Sequence, residues 1–226
     1  MANADLPRPL KGVLLDLDGT LVDTEHLHEA STNEVLRALG HQLSPVEFSR
    51  YIGWSERPFW ESLRERFGID LSVAELARRR SAVLVKLLDS PMQPLPGVRG
   101  LLALLDRHGL PRAVASSSLR LQIATTLRSA GLDRAITTYV SGYDDVRNGK
   151  PAPDAYLEAA RRIAVDPRQC VAVEDSATGV ASAKAAGAFV VAVPCASHPD
   201  QRLGAADWEL ESLTVLVPLL ERHLAG

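Results

Sequence analysis

Five short apolar segments punctuate the chain, at residues 13–15, 113–115, 138–140, 171–173 and 189–193. They are rich in valine and lack polar alternation, the pattern of strands covered on both faces, as in a parallel sheet. From the second segment onward, stretches of helical length and spacing separate them, at 119–130, 154–164 and 176–186, with Gly131 and Gly187 as C-terminal stops. Strand and helix alternating in this way predict an α/β fold built on a doubly wound parallel sheet. A sixth, edge strand is expected near 207–210 and a last helix over 212–223, while 101–105 belongs to the helix that leads into the second strand.

One interval breaks the alternation. Almost a hundred residues separate the first and second strands, far more than a crossover needs. Residues 25–94 read as helices throughout, at 26–39, 45–51, 56–67 and 73–88, and close on a linker carrying Pro91, Pro94, Pro96 and Gly97. The predicted organisation is a core domain over 1–24 and 95–226 with an all-helical domain, 25–94, inserted after the first strand. The arginine runs 78–80 and 161–162 fall inside helical patterns and are expected on solvated faces.

Composition narrows the classes. Of 226 residues, 46% are hydrophobic and 23% charged, ordinary for a globular protein, which excludes disordered and low-complexity classes. Lys and Arg number 25 against 28 Asp and Glu, a net charge of −3 that argues against a nucleic-acid partner. Cys170 and Cys195 each lie in or beside an apolar run, so two buried, reduced thiols are expected rather than a disulfide framework or a zinc site. Residues 1–10 hold no apolar stretch of signal-peptide length. No run approaches the roughly 20 apolar residues of a membrane span. A monomer in the cytoplasm, away from membranes, is the expectation.

The chemistry gathers at strand ends. Asp16-Leu17-Asp18-Gly19-Thr20 follows the first strand directly. Two carboxylates so close together are costly unless something cationic lies between them. The second strand runs into Ser116-Ser117-Ser118, the fourth into Glu174-Asp175-Ser176, and Lys150-Pro151 precedes the fourth. Alone, the serines would be a helix N-cap, Lys150-Pro151 a turn and the acidic pair a first-turn dipole contact. Ligands of open α/β sheets bind at the carboxyl ends of the strands, so Asp16, Asp18, Ser116, Glu174 and Asp175 are expected on one rim. Such carboxylates, with one lysine, suit a hard cation such as Mg²⁺, and a metal beside a phosphate neutralises developing charge. Backbone N–H groups at loop-to-helix junctions hold phosphate oxygens. A carboxylate can attack as a nucleophile, and a second one two residues on points the same way, placed for acid–base work.

The stretches 15–25, 115–118, 149–154 and 173–179 resemble, in order and spacing, those of the haloacid dehalogenase (HAD) superfamily of phosphohydrolases, in the branch of β-phosphoglucomutase and small sugar phosphatases. The resemblance spans essentially the whole chain and implies a Rossmann-like core with an inserted helical cap. It implies a role for each residue. Asp16 would be the nucleophile that becomes phosphorylated. Asp18 would be the general acid and base, with its backbone carbonyl on the metal. Ser116 would hold a phosphoryl oxygen with help from the backbone at Ser117, and Lys150 would pair with nucleophile and phosphate. Asp175 would complete the Mg²⁺ site of Asp16 and Asp18, with Glu174 beside it. The cap would close over the site, exclude water and supply specificity. The implied activity is Mg²⁺-dependent hydrolysis of a small phosphorylated metabolite, a sugar or polyol phosphate, through an aspartyl phosphate.

Alternatives are separated by single residues. Dehalogenases of the superfamily have no acid at the position of Asp18, so an alcohol leaving group is expected. Thr24 and His28 match β-phosphoglucomutase and are candidate substrate contacts. That mutase, however, carries a lysine and an arginine in its cap loop, where this chain has Ile52 and Glu56, with Arg57 one place later. The missing charge pair favours a phosphatase over a phosphosugar mutase. Trp54 and Arg57, on the loop expected to face the site, are the specificity candidates, with Tyr51 a further pocket candidate, while Trp60 is expected in the cap's own core. The inserted domain and the Asp16/Asp18 spacing argue against a receiver-type signalling domain. The complete motif set argues against a catalytically silent binding protein on the same scaffold.

Overall fold

In the computed structural model, which describes residues 5–195, 203 and 205–226, every expected strand forms. The first four residues of the 1–10 stretch lie outside the described residues. The strands are β1 (Gly12–Leu15), β2 (Arg112–Ser116), β3 (Tyr139–Ser141), β4 (Cys170–Glu174), β5 (Phe189–Ala192) and β6 (Trp208–Glu209). They make one parallel sheet in the order β3-β2-β1-β4-β5-β6. The chain steps outward from β1 to one side, then returns to the other, so the switch in winding falls beside β1.

Alternation within β1 explains why both faces are covered. Val13 and Leu15 enter one apolar cluster, and Leu14, between them, enters another. The first cluster is filled by leucine and isoleucine from α5 (Val98–Arg107), α6 (Arg120–Ser129) and α9 (Leu213–Ala225), among them Leu101, Ile123 and Leu216. The second is alanine-rich, with Ala155 and Ala159 of α7 (Asp154–Arg162) and Ala183 of α8 (Ala177–Ala185). Small side chains let those two helices lie close to the sheet.

Between β1 and α5 the chain forms α1 (Glu25–Arg37), α2 (Pro45–Phe48), α3 (Glu56–Phe67) and α4 (Val73–Leu88). Their boundaries follow local chemistry. Ser44 and Glu47 form a capping box at α2, Ser72 caps α4, and Gly68 in the left-handed region ends α3. The stretch expected as one helix at 45–51 is α2 followed by a 3₁₀ turn, Ser49–Tyr51. These helices share an apolar cluster of their own that includes Leu36, Phe48, Phe59, Trp60, Leu63 and Leu76. Trp60 is fully buried there, as expected for a packing residue.

Two arginines depart from the solvated-face expectation. Arg78 and Arg79 do lie exposed and pair with Glu75. Arg80 does not: it is 7% exposed. The helical period puts it on the face of Leu76, Ala77 and Leu84, which are buried. Arg161 is exposed beside Glu158, whereas Arg162 is half-buried and donates to the Tyr139 carbonyl oxygen at 2.6 Å. Cys170 and Cys195 are both buried. Among the described residues no helix is long and apolar enough to cross a membrane.

Candidate active site

The rim beside β1 collects the acidic residues. Asp16 follows the last residue of β1, and its backbone N–H donates to Val173 O at 3.0 Å, which locks it against β4. Glu174 ends β4 and Asp175 follows it. Lys150, from the loop after β3, reaches across: its Nζ lies 2.6 Å from Asp16 Oδ1 and 2.5 Å from Glu174 Oε1. Glu174 is held in turn by the Tyr156 hydroxyl at 2.6 Å and by the Ser176 hydroxyl at 3.1 Å. All four of Asp16, Lys150, Glu174 and Asp175 are buried.

The electrostatics are unbalanced toward negative charge. Burial raises the Asp16 carboxyl to about 8; the Lys150 ammonium opposes this, and Glu174 and Asp18 add to it. Asp175 is likewise raised well above the usual carboxylate range, by burial first and then by Asp16 and Glu174. Burial alone would lower Lys150, but Asp16 and Glu174 outweigh it and hold the ammonium above its ordinary value. Asp16, Glu174 and Asp175 each offer an oxygen, all within 4.8 Å of one another. Three buried carboxylates against one lysine, with oxygen donors only, fit a hard divalent cation. Glu174 already accepts at both oxygens, which suits it to anchoring Lys150.

The turn after Asp16 must be tight. Gly19 has φ +82°, and a Cβ there would stand 2.0 Å from Asp175 Oδ2. Only glycine permits both the backbone conformation and this approach. The turn is closed by Gly19 N–H to Val22 O at 2.8 Å.

Asp18 sits in a different environment. Thr24 Oγ1 donates to its Oδ1 at 2.6 Å, and His28 Nε2 lies 3.3 Å from the same oxygen. Ser118 and Ser116 hydroxyls donate to Oδ2 at 2.8 and 3.2 Å. Burial would raise this carboxyl, but His28 and the Thr24 and Ser118 hydroxyls outweigh burial and hold it well below the usual range. The two aspartates of one motif are therefore pushed in opposite directions.

The structure distributes the remaining candidates unevenly. Ser116 is fully buried, and its hydroxyl is engaged with Asp18 and with the Ser118 N–H. Ser117 and Ser118 line the cavity above Asp16 instead. Thr24 and His28 contact Asp18; His28 also lines the cavity, and Thr24 does not. Tyr51 and Trp54 line it. Arg57 is exposed and lines a neighbouring cavity with Arg147 and Asn148.

Among the cavity residues that escaped the sequence reading of the site are Arg80 and Glu56. Arg80 donates to Glu56 Oε2 at 2.9 Å and to His28 Nδ1, and its Cζ lies 5.3 Å from the Phe59 ring centroid. Arginine only donates, so His28 Nδ1 accepts and Nε2–H faces Asp18. Glu56 is fixed further by the Trp60 indole N–H at 2.9 Å. A chain of contacts thus runs Glu56–Arg80–His28–Asp18. Its signal in the sequence is the helical register of Arg80 with Leu76 and Leu84.

The helical segment is tied to the rim at its loop. Ser55 Oγ donates to Lys150 O at 2.8 Å, and Thr178 Oγ1 donates to Gly53 O at 2.6 Å.

A family model described as haloacid dehalogenase-like hydrolase matches residues 10–187. The chain is 32% identical over 201 residues to a bifunctional riboflavin kinase/FMN phosphatase of Arabidopsis thaliana, matching 89% of this chain but only 53% of that longer protein. It is 32% identical over 221 residues to hexitol phosphatase B of Escherichia coli (strain K12), matching 93% of this chain and 96% of that one. Among solved structures, CbbY from Rhodobacter sphaeroides in complex with xylulose 1,5-bisphosphate is similar, with a TM-score of 0.81, 27% identity and coverage of 90% and 95%.

Proposed function

The chain belongs to the haloacid dehalogenase-like hydrolase family, and from that premise we propose that it is a Mg²⁺-dependent phosphatase acting on small phosphate monoesters, sugar or polyol phosphates, through a phosphoaspartate on Asp16. The observation that carries this reading is the Lys150 ammonium 2.6 Å from Asp16 Oδ1 on the sheet rim. That contact opposes the burial that raises Asp16, and so favours the carboxylate form a nucleophile needs beside a dianionic phosphate.

Asp16 attacks phosphorus with a carboxylate oxygen, an acyl phosphate forms, and the P–O bond to the alcohol breaks. Lys150 offsets charge on Asp16 and on the phosphoryl oxygens. Asp18 gives its proton to the leaving oxygen, then takes one from the water that cleaves the acyl phosphate. The four donors around Asp18 favour its ionised form, the form the second half needs. For the first half it must take up a proton, and an approaching phosphate dianion favours that by like charge. Asp16, Asp175 and the Asp18 backbone carbonyl would hold Mg²⁺, with Glu174 beside them; when bound, the ion supplies the positive charge that offsets repulsion between nucleophile and phosphate. Ser117, on the cavity wall, would contact the phosphoryl oxygens, while the Ser118 hydroxyl stays on Asp18 and its N–H on Ser116 Oγ. Residues 25–94 act as a cap that excludes water, and Trp54 and Tyr51 face the rest of the substrate. The protein works as a cytoplasmic monomer on a free metabolite.

A phosphosugar mutase is the second reading, and one observation favours it: Arg80, in contact with His28, puts a cation on the cap side of the cavity, where the loop positions of the mutase's charge pair hold Ile52 and Glu56. Phosphate release from a panel of phosphorylated metabolites with Mg²⁺ tests the first reading. Conversion of β-glucose 1-phosphate to glucose 6-phosphate, primed by a trace of bisphosphate and without phosphate release, would establish the second instead.

A further inference from the structure

Resting on the phosphatase reading, we propose that Glu56 sets this pocket for a substrate with a single phosphate and an uncharged, hydroxyl-bearing remainder. The relatives leave the number of phosphates open, since one is a hexitol phosphatase and another structure holds a bisphosphate.

The charges lining the cavity argue the point. Its described acids are Asp16, Asp18, Glu25, Glu56 and Asp175, and its described arginine and lysine residues are Arg80 and Lys150. Lys150 is committed to Asp16 and Glu174 at the rim. Arg80 is the cation on the cap side, and it is committed as well. Its guanidinium is paired with Glu56 at 2.9 Å, where Arg80 and Glu56 side chains are 9% and 4% exposed. It also donates to His28 and stacks near Phe59. A buried pair of this kind presents little net charge to the cavity. A second phosphate would meet an arginine already compensated by Glu56, with the carboxylate of Glu25 on the same wall, and desolvating it there would go uncompensated.

The polar capacity left over fits a hydroxyl. Arg80 Nε is buried without a hydrogen-bond partner, which is costly unless a ligand accepts from it. A sugar or polyol hydroxyl can accept that bond without bringing charge. Tyr51 and Trp54, edge to face at 5.3 Å, offer apolar and π surface to the carbon skeleton.

The test measures binding by calorimetry, so it reads independently of turnover. Asp16→Asn protein is the background, to keep ligands intact. The probes are matched pairs, glucose 6-phosphate with glucose 1,6-bisphosphate, and xylulose 5-phosphate with xylulose 1,5-bisphosphate. The background protein is expected to bind the monophosphate of a pair more tightly. Adding Glu56→Gln should shift the ratio of dissociation constants toward the bisphosphate by about tenfold, the scale of one partly screened charge contact. Adding Arg80→Gln instead should shift it the other way, because Glu56 is then uncompensated. A merely structural role would weaken both ligands of a pair alike and leave the ratio unmoved in both variants. Tighter bisphosphate binding by the background protein, an unmoved ratio, or no binding of any probe would overturn the proposal. If either variant fails to fold, the sign of the other's shift still decides. Should no ester be hydrolysed by the unmutated enzyme while the ratios shift as stated, the phosphatase reading falls and the assignment of Glu56 stands.

Discussion

Asp16 and Asp18 lie two residues apart, yet their surroundings drive them in opposite directions, and that division is the basis for separate roles. Replacing Asp16 with Asn removes the proposed nucleophile, and turnover should vanish while the fold, followed by circular dichroism, is retained. Asp18→Asn should lower hydrolysis of a sugar phosphate by about 10²–10⁴-fold. It should lower p-nitrophenyl phosphate hydrolysis far less, because that leaving group needs no proton; equal losses on the two esters would contradict the proton-donor role. The raised Asp16 also predicts a pH dependence. With its carboxyl moved from 3.8 up to about 8 by burial, the metal-free native state holds a proton that the unfolded chain has released. Metal-free stability should therefore fall as pH rises through that window. A divalent ion must displace the same proton, so apparent Mg²⁺ affinity should rise from pH 6 to pH 8 by up to about tenfold per unit. Titrations in buffers of different ionisation enthalpy would detect the released proton. The four residues Asp16, Asp18, Lys150 and Asp175 were legible because each adjoins a strand end or a short turn. Arg80 was obscured by Arg78 and Arg79, whose side chains do face solvent, although its register with Leu76 and Leu84 carried the signal.

At the scale of elements, the loop between α2 and α3 is what joins the helical segment to the rim. Gly53 has φ +77°, and a Cβ there would come within 2.6 Å of Thr178 Oγ1, so the hydrogen bond from that hydroxyl to Gly53 O depends on glycine. Ser55 makes the second tie, to the backbone of Lys150. Each bond contributes about 1 kcal/mol. A Ser55→Ala, Thr178→Val double variant should lose about tenfold in kcat/KM on a sugar phosphate, with a melting temperature shifted by no more than a few degrees. Trp60 is the opposite case. Truncating it to Ala should cost about 3–5 kcal/mol in the stability of the helical segment, read in a denaturant titration, because it fills that cluster and also steadies Glu56. The helices themselves were legible from the helical patterns over 26–39, 45–51, 56–67 and 73–88. Docking of the loop at 52–55 was not, since a serine and a threonine that hydrogen-bond across the fold look like any solvated hydroxyl in the chain.

For the whole molecule, the sheet order decides what can meet. Asp16, Ser116 and Glu174 are scattered along the chain, and the order β2-β1-β4 sets their strands side by side. The valine-rich segments disclosed that a doubly wound sheet exists, and the rule that ligands sit at carboxyl ends disclosed which rim to inspect. What each hydroxyl does there was not legible: Ser116, Thr24 and His28 turn to Asp18 because a buried carboxylate draws the nearest donors. On the proposed metal dependence, the rim as a unit should fail without a divalent cation. Chelation should abolish turnover and Mg²⁺ should restore it, whereas full activity in chelator would contradict the assignment of the acidic cluster. The most direct test of the central claim is phosphate release, with Mg²⁺, from sugar 1- and 6-phosphates, polyol phosphates, phosphoglycolate and nucleotides, using Asp16→Asn as the blank. Release from one or a few sugar or polyol monophosphates, absent in the blank, is the expected result. No release from any member, or equal release by Asp16→Asn protein, would contradict it.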